Sequence, residues 1–158
     1  ILSQRETLDD EQLQLYINLL ASIMQLSLFE VTKDRRSSVK NRTNLRDEAI
    51  EKIVQSEFYP TPDVIPEQIS TVNTKRLYRT VQGSSTTLGA HLLAVFLLGS
   101  ERELIQLQKS DPAFIDFVAD LIRLRGHGNK QQSDFSQDDL ESLKKHVFKA
   151  INIIAEVF

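Results

Sequence analysis

The chain has 158 residues, 41% hydrophobic and 26% charged, the proportions of one globular domain large enough to bury a core unaided. The absence of cysteine excludes a disulfide framework, a thiolate metal site and a Cys nucleophile, and five Gly with four Pro argue against a turn-rich all-β protein. A net charge of −3 excludes a nucleic-acid coat that is basic throughout, although the charge is unevenly spread.

Helical periodicity dominates from Asp9 or Asp10 onward. Leu13, Tyr16, Ile17, Leu20, Ile23, Met24 and Phe29 recur at three and four and mark one face. Leu15, Leu19 and Leu26 add a second apolar strip, which predicts a central helix covered from two sides and ending near Val31 or Thr32. A second helix is predicted from an Asn44 cap, with Asp47 and Glu48 in its first turn and Leu45, Ala49, Ile50, Ile53, Val54 and Phe58 as its buried stripe.

Three prolines between Tyr59 and Pro66 predict extended chain, with Val64 and Ile65 laid against the body. A short helix over Thr74 to Gln82 closes at Gly83, and Ser84 or Ser85 is placed to cap the next. That next helix, Leu88 to Leu98, is apolar all round and reads as the buried axis. It is well short of the ~20 residues a bilayer-spanning helix needs. Gly99-Ser100 is a stop and restart. Asp111-Pro112 places a capping carboxylate before Pro at the first helical position, opening a helix that ends at Gly126. A polar loop over 128–134 precedes the last helix, capped by Ser136, with Leu140, Leu143, Val147, Ala150, Ile151 and Ile154 as its core stripe. The expected fold is an all-α, single-domain bundle of about six or seven helices spanning 1–158. The opening Ile1 suggests a chain processed, trimmed or cut from a longer protein, and a soluble cytoplasmic location is the default expectation.

Two segments carry charge in a pattern suited to chemistry. Between Lys33 and Arg46 lie six cations, Lys33, Arg35, Arg36, Lys40, Arg42 and Arg46, against the single Asp34. Positive charge beside Ser, Thr and Asn donors suits phosphate oxygens, and equally an acidic protein partner; a solvated interhelix loop has the same composition. No aromatic interrupts the segment, so base stacking is not expected there. The second segment is Arg123-Leu124-Arg125-Gly126-His127-Gly128-Asn129-Lys130. Its arginines can grip phosphate in fork geometry, and a histidine between two glycines is uncrowded and titrates near neutral pH. The same residues would also serve as an ordinary helix C-terminus, with basic groups against the dipole and a Gly cap.

The stretch from Ile122 onward resembles the end of HEPN domains, helical nucleotide-binding domains found in many prokaryotic defence and toxin systems. Their motif is an Arg followed several residues later by a His and commonly a Gly, then a loop and a long closing helix. Here Arg123, His127 and Gly128 stand in those places, and Phe135-Ser136-Gln137-Asp138-Asp139-Leu140 opens the closing helix. The spacing holds one residue fewer than the shortest usual form, and Leu124 stands where a polar residue is usual. The resemblance implies that His127 moves the proton, Arg123 holds phosphate with help from Arg125, and Asn129 is a supporting donor. It also implies a homodimer with an RNA cleft at its two-fold interface, and metal-independent endoribonuclease activity if the domain is catalytic, or RNA binding if it is a degenerate relative.

His91 reads as a core residue bonded to a neighbouring carbonyl or hydroxyl, and His146 as solvated beside Lys144 and Lys145. The three histidines share no ligand spacing, so neither metal nor cofactor is expected. The alternative to an RNA-directed domain is a non-enzymatic helical interaction module of a larger protein, with Lys33 to Arg46 docking an acidic partner.

Overall fold

The computed structural model describes residues 8–38, 44–55, 59, 62–126 and 135–158. Among them there is no strand, and the all-α expectation holds. The long helix α1, Asp10–Thr32, starts from a reciprocal capping box between Asp9 and Gln12 and runs into a 3-10 segment, Lys33–Ser38. Helix α2, Leu45–Val54, begins after Asn44, whose side chain makes no capping bond. Pro62–Val64 forms one 3-10 turn; Ile65 is buried as expected, whereas Val64 is exposed.

The four-residue helix α3, Glu67–Ser70, is the element sequence patterning did not predict, being too short to show a period. Helix α4, Thr74–Val81, is capped by Asn73 and closed through Gly83 at φ 110°, the left-handed position its glycine allows. Helix α5 is Leu88–Leu98, α6 is Glu101–Ser110, α7 is Phe114–Gly126 and α8 is Gln137–Val157.

Helix α5 is the axis. Every residue from Leu88 to Phe96 is buried, and α1, α2, α4 and α7 pack around it. Helix α8 lies on α1 and α6, and α3 bridges α5 and α7. Helices α1 and α8 run parallel: the Leu8 N–H donates to Gln137 Oε1 at their starts (3.1 Å), and Leu26 and Ala155 line one groove near their ends.

Several sequence expectations are corrected. The cap of α5 is Thr87, whose Oγ1 accepts from the Ala90 N–H, not Ser84 or Ser85. The Asp111 carboxylate does not cap α7; it is buried and bonded to His146 Nε2 at 2.9 Å. His146 is therefore half-buried and partnered, with part of its side chain still open to solvent. Its ring stacks on Phe117 at 3.8 Å, because the fold brings up a carboxylate and a ring from a helix distant in sequence.

Helix α1 is covered on one side only. Leu15, Leu19 and Leu26 are 67%, 55% and 62% exposed, so the second strip that should have been covered faces outward. No charge interrupts α1 from Gln12 to Phe29. With its extension, Asp10–Arg35, it is long and apolar enough by length and composition to cross a membrane, a test that core helices also pass.

Candidate functional site

The two arginines at the end of α7 are separated by two positions, a rotation of about 200° on a helix, so their side chains leave on opposite sides. Arg123 stands 3.7 Å from Asp120, one turn earlier. It lines a hollow of about 480 Å³ together with Asp116, Asp120, Asp139 and His146. That is an acid-rich wall, unsuited to phosphate. Burial, reinforced by the Asp116 charge, also pushes the neighbouring Tyr59 hydroxyl above its usual range.

Arg125 turns the other way. Its Nη1 donates to Gln25 Oε1 on α1 at 3.2 Å, and Gln25 Nε2 donates in turn to Ser85 Oγ and the Thr86 carbonyl. This chain ties α7, α1 and the loop before α5 into one rim. Below it lies a cleft of about 530 Å³. Arg76 from α4 and Arg125 reach it from two elements, beside Gln68, Asn73, Thr86 and Thr87. No carboxylate is among the described residues lining it. Among the described residues neither arginine has a carboxylate partner.

The floor is built by close packing. Val72 and Leu88 are buried there, and a Cβ on Gly89 would come within 2.9 Å of Val72 Cγ2 and 3.4 Å of the Gln68 carbonyl oxygen. Glycine is what lets the first turn of α5 meet the α3–α4 connection. One wall is held from behind by His91, fully buried, whose Nε2 accepts from the Thr86 N–H at 3.2 Å. The expected partner was a carbonyl or hydroxyl. An amide N–H fixes the opposite role for that ring nitrogen, acceptor rather than donor. Thr80 and Thr86 share a hydroxyl–hydroxyl bond that pins the same loop to α4.

Three of the six cations of the basic segment have partners within the fold. Lys33 pairs with Glu30. Arg35 grips Glu103 through two bonds of 2.5 and 2.8 Å and lies over the Phe158 ring at 5.6 Å. Those bonds, with capping bonds from Ser100, hold the Glu103 carboxyl down at about 2, although partial burial opposes them. Arg46 Nη1 donates to the carbonyl of Val72, a cleft residue, at 3.2 Å. One end of the segment is thus fixed at α6 and the other behind the cleft. Lys40, Arg42, His127 and Asn129 lie outside the described residues, as does the side chain of Arg36.

Arg76, Asn73, Thr86 and Thr87 were missed in the sequence. The one local signal was the hydroxyl run Ser84–Thr87 ahead of a helix opening with Leu88-Gly89. Arg76 gave none, since a single Arg on a short helix is ordinary surface. No protein-family model, curated protein or solved structure matches the chain.

Proposed function

We propose that this is a HEPN-like, RNA-directed helical domain that engages phosphate in the cleft beneath Arg76 and Arg125. One observation carries the reading: Arg125, in the segment that resembles the family motif, faces a cleft with a second arginine, several amide and hydroxyl groups, and no acid among its described lining residues. A site lined by two guanidiniums favours phosphate, by its charge alone, over a face that carries carboxylates. The phosphate-holding role falls to Arg125 instead of Arg123, whose guanidinium stands against Asp120.

The chemistry follows from the residue types. His127 takes the proton from a ribose 2′-OH, and the 2′-oxygen attacks the adjacent phosphorus. The bond to the 5′-oxygen breaks, that oxygen takes up a proton, and a 2′,3′-cyclic phosphate and a 5′-hydroxyl result. The arginines offset the charge that builds on the phosphoryl oxygens.

The proposal includes a homodimer. Leu15, Leu19 and Leu26 form an exposed strip that continues onto α8 through Phe148, Ile151 and Ala155. The α1 part of the strip carries no charge from Gln12 to Phe29, and an apolar strip meets its own copy across a two-fold axis. Gln25, the acceptor of Arg125, precedes Leu26, so this face borders the cleft.

The deciding experiment incubates mixed-sequence RNA with the wild type and with His127→Ala, with EDTA throughout. Cleavage by the wild type and its loss in a folded variant support the reading. If neither protein cuts or binds RNA, the interaction-module reading replaces it, with the apolar strip as the docking face. The basic segment is the weaker candidate for that role, since Lys33, Arg35 and Arg46 are already engaged within the fold.

A further inference from the structure

An internal RNA phosphate carries one negative charge; a terminal phosphate carries about 1.5 to 2 at neutral pH and presents three free oxygens. The cleft supplies two guanidiniums from separate helices, Arg76 on α4 and Arg125 on α7, with no carboxylate among its described lining residues. Its floor is formed by buried Val72, Leu88 and Gly89, where a Cβ on Gly89 would meet Val72 Cγ2 at 2.9 Å, so α5 and the α3–α4 connection pack closely there. A polymer's internal phosphate would have to enter with chain on both sides. An end group enters alone.

We propose that the cleft is a pocket for a phosphate monoester, the group at the end of an RNA chain or on a free mononucleotide. The inference rests on the RNA-directed reading only for what carries the phosphate. The two guanidiniums take the oxygens in fork geometry. The first turn of α5, where Leu88 and Gly89 line the cleft, adds main-chain N–H groups that lie too early in the helix for internal partners. No aromatic is among the described residues lining the cleft, so base stacking adds nothing there and both bases are taken alike.

The test measures binding of 2′-O-methyl RNA, which lacks the attacking hydroxyl, in one sequence bearing a 5′-phosphate, a 3′-phosphate or hydroxyl ends. Adenosine and uridine monophosphates serve as competitors. A phosphorylated end should bind about tenfold or more tightly than hydroxyl ends, with both mononucleotides competing alike. Arg76→Ala and Arg125→Ala should each abolish that preference while melting like the wild type, and Arg102→Ala, on the exposed surface of α6, should retain it. Equal affinity for phosphorylated and hydroxyl ends overturns the monoester pocket, even if Arg125-dependent RNA binding persists and the RNA-directed reading stands. Arg76-dependent binding of mononucleotides without binding of any RNA upholds the pocket, assigns it to the free nucleotide and removes the RNA-directed reading. No binding of any of these ligands overturns both.

Discussion

Arg123 and Arg125, two positions apart on α7, stand in opposite electrostatic surroundings: Arg123 is 3.7 Å from Asp120 on an acid-rich wall, and Arg125 donates to the neutral amide of Gln25 above a cleft with no acid among its described lining residues. Arg125→Ala should therefore weaken RNA binding about tenfold, whereas Arg123→Ala should change it by less than about threefold. Binding isotherms at two salt concentrations would check this. An equal loss in both variants would move the phosphate site to the acidic side.

The Arg35–Glu103 pair makes stability depend on acid. Its folded carboxyl is held at about 2 against an ordinary 4.5, so its contribution is full above about pH 5 and fades as pH falls towards 2. Glu103→Gln keeps an amide oxygen for the Ser100 cap and removes the charge. It should cost about 1–2 kcal/mol at pH 7 and close to nothing near pH 2, measured by urea unfolding across that range.

Gly89→Ala places a methyl 2.9 Å from Val72 Cγ2. The variant should lose about 1–3 kcal/mol from overpacking, and Val72→Ala in the same chain should recover part of it. Thermal melts of the two single variants and the double variant give the coupling.

His91→Leu keeps an apolar side chain in a fully buried position but removes the acceptor of the Thr86 N–H. A loss of about 1–3 kcal/mol is expected, together with weaker phosphate binding as the Ser84–Thr87 loop loosens. Unchanged ligand affinity in a destabilised variant would confine His91 to the core.

The α1–α8 strip predicts a dimeric mass for the wild type by sedimentation equilibrium. Leu19→Glu with Leu26→Glu should give a monomer of unchanged helicity, since both positions are more than half exposed. A monomeric wild type would remove the homodimer from the proposal.

Much of the fold was legible because local rules and tertiary packing agree. Ser136 caps the last helix as predicted, the restart at Gly99-Ser100 is where α6 begins, and the all-apolar Leu88–Leu98 is the axis. Failures came where a partner lies far off in sequence. Asp111 reads locally as a cap, but His146, 35 positions on, takes its carboxylate. Arg35 reads as a free cation until Glu103, 68 positions on, is brought to it.

The sequence by itself determined the all-α class, the longer helices and the arginine-rich end of α7, because these depend on side-chain period and on neighbours within a turn or two. Only the tertiary structure decided which cations remain uncompensated. Charge neutralisation acts through space over a few ångströms, so it separated Arg123 from Arg125, committed Arg35 to Glu103, and set Arg76, which no local pattern singles out, beside Arg125 at the cleft.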